Sequence, residues 1–114
     1  MVTIKSYTDL NQSKVLSKIL SDDSADMSYH HFVSDLLPEG YCISVDKVKY
    51  ETDIPCWSLA ALLSVLSDYT LQTNTDGTVF VVCESKKPMI SDAYDNPVDA
   101  CVSMIIKLHE LKKL

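Results

Sequence analysis

The segment YTLQTNTDGTVFVVCE, residues 69–84, constrains the fold more than any other part of this 114-residue chain. Its first half alternates apolar and polar residues, its second half is almost continuously apolar, and Asp76-Gly77 lies between the two. Such a pair predicts a β-hairpin, because glycine readily adopts the positive φ of a tight turn. The apolar run Thr78–Cys83 predicts a strand in the centre of a sheet, covered on both faces.

Two helices are predicted in the second half of the chain. The clearer one begins after Asn96, a good N-cap, has Pro97 at its first position, and runs to about residue 113. The other, over 57–66, is introduced by Pro55 and is apolar on nearly all sides. A helix of that kind is buried on two sides or meets a partner.

The first part of the chain is predicted to be mainly helical. Thr8 can cap a helix that ends near Ser21, and a second short helix is expected over 28–37, where Pro38 stops it. Apolar and polar residues then alternate over 41–50, which indicates one bent strand or two short ones.

These elements predict an α+β fold with a small antiparallel sheet packed against helices. The sheet has three or four strands, including the 69–84 hairpin, and the element order is α-α-β-α-β-β-α. We expect a single domain over 1–114, with a helical N-terminal segment, 1–39, and a sheet and helix core, 40–114.

Composition argues against two classes of partner. The net charge of -6, with no patch of Lys and Arg, disfavours nucleic acid. The longest apolar run, Trp57–Leu66, is too short to span a bilayer, and the N-terminus has no apolar signal-peptide core. We therefore expect a cytoplasmic protein without a membrane partner, whose cysteines stay reduced. They are Cys42, Cys56, Cys83 and Cys101.

Cys56 is a candidate nucleophile. It precedes Trp57 at the predicted start of a helix, where papain-like proteases keep their thiol and where helix N–H groups favour a thiolate. A base is harder to find, because His109, in the last helix, is the only histidine after Cys56. The favoured interpretation is therefore a buried thiol beside an anchoring tryptophan, with Cys56 and His109 kept as catalytic candidates.

No metal or cofactor site is predicted. His30 and His31 are adjacent, and neighbouring residues on a helix point about 100° apart, so the two do not converge on one ion. The zinc spacings Cys-x₂-Cys and His-x₃-His, a calcium loop and a phosphate-binding glycine loop are all missing from the sequence.

Aromatic residues are the candidate contact residues. Tyrosine and tryptophan bury a large area while they keep a polar group, which favours them at interfaces. The residues we expect in contacts are Trp57, Tyr41, Tyr50 and Tyr69.

Two stretches, DIPCWSLAALLSVL and AYDNPVDACVSMIIKLHEL, carry a family resemblance. A proline-led helix with a tryptophan, a hairpin and a short proline-led start of a final helix resembles a group of small uncharacterised proteins. These proteins belong to gut Bacteroidetes and their phage-like mobile elements. The resemblance covers about residues 40–112 and implies a compact α+β domain, without a substrate, cofactor or reaction.

Three hypotheses on function follow. The favoured one is a small, acidic, non-enzymatic intracellular domain that acts through protein–protein contact, including self-association as a homo-oligomer. The alternative is a cysteine-dependent hydrolase or thiol transferase that uses Cys56, with His30, His31 or His109 as its base. The third is an acidic inhibitor of a basic partner such as a nuclease.

Overall fold

The computed structural model describes residues 5–32, 40–66, 68–83 and 89–111, and it has the predicted α+β character. The described α-helices are Leu10–Leu16 (α1), Leu59–Val65 (α2) and Pro97–Glu110 (α3), and Asp22–Ser24 form a 3₁₀ helix. The described strands are Met27–Phe32 (β1), Gly40–Ser44 (β2), Ile54–Cys56 (β3), Thr70–Thr73 (β4), Val79–Cys83 (β5) and Met89–Ile90 (β6). None of these helices has the length and apolar character needed to cross a membrane.

The strands form two antiparallel sheets of three strands each, where one sheet was predicted. The first sheet has the order β2-β1-β3 and the second the order β4-β5-β6. The predicted element order was wrong in its first half, because a strand, β1, takes the place of the second helix. The remaining difference is that the region 41–56 supplies two strands and the region after the hairpin supplies β6.

The prediction of a helix over 28–37 was wrong for its described part. Ser28 to Phe32 pair with β2, from Ser28 opposite Ser44 to Phe32 opposite Gly40, and residues 33–37 lie outside the described residues. The sequence SYHHF has the aromatic content that favours strands. In this strand His30 and His31 point to opposite faces of the sheet.

Pro55 lies in a strand, so the helix that it was expected to introduce begins later. Pro55 is tolerated in β3 because that strand has a described neighbour, β1, on one side only. Ser58 is the N-cap of α2, and its hydroxyl accepts a hydrogen bond from Ala61 N at 3.2 Å. The carboxylate of Asp26 in turn accepts from Ser58 N and from its hydroxyl.

The N-terminal helix is shorter than predicted and has a different cap. Asp9, rather than Thr8, is its N-cap, since Asp9 Oδ1 accepts from Gln12 N at 2.8 Å and Gln12 Oε1 accepts from Asp9 N at 3.1 Å. This reciprocal pair satisfies two backbone donors at the helix end.

The predicted hairpin is confirmed. Thr70 to Thr73 pair with Val82 to Val79, and Gly77 in the turn has a φ of 90°. The prediction that the apolar strand is central is also confirmed, because β5 lies between β4 and β6. Residues 84–88, part of the loop predicted after the hairpin, lie outside the described residues.

The helix α3 supplies half of the hydrophobic core. Asn96 caps it as predicted, with its side-chain oxygen accepting from Asp99 N at 2.9 Å. One face of α3 packs on β5 and another on α2. The buried core residues are Leu16, Ala25, Trp57, Ala61, Leu62, Leu66, Val81, Val98, Ala100, Cys101, Val102, Met104, Ile105 and Leu108.

Two neighbouring leucines of α2 test this description of the core. Leu62 is fully buried and Leu63 is 37% exposed. We expect Leu62→Ala to lower the free energy of unfolding by about 2–5 kcal/mol, because it leaves a cavity. Leu63→Ala should cost about 1 kcal/mol or less. Equal losses in urea denaturation would show that α2 packs differently.

Candidate functional site

A histidine and a buried aspartate are joined by a hydrogen bond at the first sheet. His30 Nδ1 lies 2.8 Å from Asp53 Oδ1, and the Asp53 side chain is only 2% exposed. The other oxygen, Asp53 Oδ2, accepts hydrogen bonds from Lys49 N at 2.9 Å and from Tyr50 N at 3.0 Å. Asp53 therefore fixes both the imidazole and the loop between β2 and β3.

The environment keeps Asp53 ionised. Burial by itself raises the pKa of this carboxyl, but the hydrogen bonds from His30, Lys49 N and Tyr50 N outweigh burial and leave its pKa below the ordinary value. An ionised carboxylate can only accept, so His30 Nδ1 carries the shared proton. In the neutral imidazole the lone pair is then on Nε2, which has no hydrogen-bond partner among the described residues.

Cys42 lies next to this pair on the same face of the sheet. It is the residue opposite His30 in the ladder between β1 and β2, and it is an exposed, free thiol. Cys42, His30 and Asp53 therefore form a line across the first sheet, which we call the thiol row. No hydrogen bond joins Cys42 to His30 within the described chain. The ring of Tyr50 stands edge-on to His30, with 6.5 Å between ring centroids.

Cys56 has a different environment. It is fully buried, its thiol donates to the carbonyl of Thr8 at 3.4 Å, and the Thr8 hydroxyl lies 3.5 Å from the sulfur. Burial raises the pKa of the Cys56 thiol, although the bonds to Thr8 and Ser13 act in the opposite direction. No imidazole is among its hydrogen-bond partners in the described chain. Cys56 thus lacks the access and the base that a nucleophile needs.

The other sequence candidates lie apart from one another. His109 is exposed in the last turn of α3, and the ring of His31 lies against Tyr41, 5.1 Å between centroids. Within the described ranges no three His, Cys, Asp or Glu side chains are placed to hold a metal ion.

The contact candidates divide into buried and exposed residues. Trp57 is a core residue and not a surface contact, since it is fully buried and its Nε1 donates to Ser24 Oγ at 2.9 Å. Tyr69 is half-buried against the core. Tyr41 and Tyr50 are exposed, as expected of contact residues.

A cleft of about 660 Å³ lies between α1, α3 and the segment before α3, and several of its polar and charged side chains bind one another. Lys5 Nζ contacts Asp99 Oδ1 at 2.8 Å and Asp9 Oδ2 at 3.1 Å, and Gln12 Nε2 donates to the same Asp99 oxygen at 2.7 Å. Burial opposes both charges, yet these bonds leave the pKa of Lys5 raised and that of Asp99 lowered. The cluster ties the N-terminal segment to α3.

Comparison with known proteins gives no relative. Neither a protein-family model, nor a curated protein, nor a solved structure matches this chain significantly. The resemblance to Bacteroidetes and phage-like proteins therefore stays a prediction.

Sequence reasoning missed two of the three residues in the thiol row. For Cys42 the sequence predicts only a reduced thiol, and for Asp53 it predicts no role. One signal was present, because GYCIS alternates and places Cys42 on one face of a strand. The partner strand that carries His30 was interpreted as a helix, so the two residues could not be brought together.

The depressed pKa of Asp53 predicts a pH dependence of stability. Its folded-state pKa lies below its unfolded value, so the stabilisation is present above the unfolded pKa of about 3.9 and is lost as pH falls through the folded pKa. We expect the free energy of unfolding to fall more steeply between about pH 5 and 3 in the wild type than in Asp53→Asn. Asp92→Asn, which changes an exposed aspartate, is the control. In this variant the free energy of unfolding should fall with pH as steeply as in the wild type.

Proposed function

We propose that this chain acts through protein contact and associates with a second copy of itself along the edge of β2. The observation that supports this proposal is an apolar stripe along a strand that lies at the edge of its sheet among the described strands. Tyr41 is 37% exposed and Ile43 39%, and as alternate residues of β2 they lie on one face. Val45, just beyond the end of β2, is 81% exposed. Among the described strands, β2 pairs with β1 alone.

Edge strands of monomeric proteins usually carry features that prevent pairing, such as lysine, proline or inward-pointing charge. The sequence of β2, GYCIS, contains none of these. Exposed apolar residues are also concentrated here: of nine large hydrophobic side chains exposed in the described chain, four lie between 41 and 50. An uncharged, apolar edge is suited to the addition of another strand.

The apolar stripe selects one register for a symmetric antiparallel pair. If the two-fold axis passes through Ile43, then Ile43 faces Ile43 of the second copy. Tyr41 of each copy then faces Val45 of the other copy. A shift of the axis by one residue in either direction leaves one member of the stripe without an apolar partner. Cross-strand apolar pairs contribute about 0.2–1 kcal/mol each, so the centred register is favoured.

The net charge of -6 modifies this association. Two copies repel each other at long range, and salt screens that repulsion while it leaves apolar contact intact. We therefore expect the dimer to become tighter as ionic strength rises. A role as an accessory factor of a mobile element and a cytoplasmic location remain predictions from the sequence.

The substitution Ile43→Lys tests the proposed dimer, since it places two like charges opposite each other at the axis. We expect light scattering coupled to size exclusion, over a dilution series, to show a dimer for the wild type. Ile43→Lys should weaken the dimer at least about tenfold. Leu111→Lys is the matched control, because Leu111 is 52% exposed and lies at the end of α3.

Two outcomes would contradict the proposal. A wild type that stays monomeric at every concentration excludes self-association. A dimer that is weakened by Leu111→Lys and not by Ile43→Lys shows that the interface lies elsewhere. Val45→Lys, just beyond the end of β2, gives a second test with little effect on the strand itself.

A further inference from the structure

We propose that Cys42 is a nucleophilic thiol for exchange with small disulfides, with His30 as its base and Asp53 as the positioning residue of that base. This inference concerns the face of the first sheet that carries the thiol row, and it does not depend on the proposed dimer.

The register of β1 and β2 supplies the geometry. Residues directly opposite each other in an antiparallel pair have their Cβ atoms about 4.5–5.5 Å apart. Cys42 and His30 are such a pair, and both project from the same face. Asp53 holds His30 through Nδ1 at 2.8 Å. Nε2, which has no hydrogen-bond partner among the described residues, is the nitrogen left for the thiol.

In the proposed reaction, rotation about one side-chain bond moves the exposed thiol toward this nitrogen. Cys42 has a single χ angle that positions its sulfur, and it is exposed to solvent. His30 is the more fixed partner, since its side chain is 26% exposed and is held by Asp53. Catalytic hydrogen bonds are often unformed in the absence of substrate, so the resting separation of the two side chains is compatible with this role.

The proposed reaction needs only the residues of the thiol row and one disulfide molecule. His30 Nε2 takes the proton of the Cys42 thiol, and the thiolate attacks one sulfur of a disulfide R–S–S–R. A bond forms between Cys42 Sγ and that sulfur as the original S–S bond breaks. The leaving thiolate takes the proton from the imidazolium, so that Cys42 is oxidised to a mixed disulfide and one thiol, R–SH, is released. The carboxylate of Asp53 stabilises the transient imidazolium.

The site suits disulfide exchange better than acyl transfer. Acyl transfer requires N–H donors for an oxyanion. The backbone donors beside the row, Lys49 N and Tyr50 N, both donate to Asp53 Oδ2 and are not available. Disulfide exchange needs only a thiolate, an accessible sulfur and a proton acceptor.

Cys42 also differs from the buried thiols of the described chain. Cys56 and Cys101 are fully buried, and burial raises the pKa of Cys101 to about 11. In the folded protein these two are shielded from disulfides, so that exchange should be selective for Cys42 over Cys56 and Cys101.

The experiment uses 2,2′-dithiodipyridine as the small disulfide, with the labelled cysteine identified by peptide mass spectrometry. His30→Asn is the informative variant, because the amide nitrogen of asparagine can still donate to Asp53 while the base at Nε2 is removed. Cys42→Ser measures the background of the other thiols, including Cys83. We expect the rate constant of Cys42 at pH 7 to fall at least about tenfold in His30→Asn. Asp53→Asn should give a smaller fall.

The pH profile separates a base from a residue that merely shapes the surface. Above about pH 10 thiols ionise without help, so the wild type and His30→Asn should converge there. Equal rates at pH 7, or a rate ratio that stays constant from pH 6 to 10, would overturn the proposal.

A measurement on the wild type alone guards against a variant that fails to fold. At pH 7, Cys42 in the native chain should react at least about tenfold faster than Cys42 in the chain unfolded by guanidinium. A native rate equal to or below the unfolded rate would also overturn the proposal.

Discussion

The fully buried Thr8 joins the first sheet to the segment that leads into α2, through hydrogen bonds to Tyr29, Cys56 and Trp57. Its backbone N–H donates to Trp57 O at 2.9 Å, and its hydroxyl accepts from Trp57 N at 3.2 Å. Its carbonyl accepts from the hydroxyl of Tyr29 at 2.9 Å. Burial raises the pKa of Tyr29 to about 12, so that this donor keeps its proton. Because buried polar groups are costly when unpaired, Thr8 holds β1, β3 and the start of α2 in one arrangement.

This arrangement explains why Cys56 resembles a nucleophile in sequence and not in structure. A cysteine before a tryptophan and a proline-led apolar run suggest a helix start, where a thiolate is stabilised. In the fold, Cys56 ends a strand, and Ser58 begins the helix two residues later. The sulfur turns inward to Thr8, so its neighbours are a hydroxyl and a carbonyl instead of helix N–H groups.

How much could be predicted from sequence depends on how local the deciding interactions are. The hairpin and α3 were predicted because their signals, Asp76-Gly77 and Asn96-Pro97, act within a few residues. The strand β1 was not, since pairing with β2 and β3 outweighs the local pattern of SYHHF. The thiol row depends on both pairings of β1, the one with β2 and the one with β3. His30 meets Cys42 through the register, and Asp53 approaches from the segment just before β3, so neither contact has a sequence spacing that a motif could record.

The thiol row and the proposed dimer edge use alternate residues of the same five-residue strand, and this makes them compatible. Tyr41 and Ile43 lie on the face of α1, where Lys14 contacts the ring of Tyr41, whereas Cys42 lies on the opposite face with His30. The register decides whether the two sites interfere. With the axis at Cys42, the two thiols would face each other and could be consumed by a disulfide between the copies. With the axis at Ile43, Cys42 faces Ser44 of the second copy and stays reduced. Val45 is the residue that distinguishes these registers, because only the second one gives it an apolar partner. In the proposed dimer, Val45 would therefore favour the register that keeps the two Cys42 thiols apart.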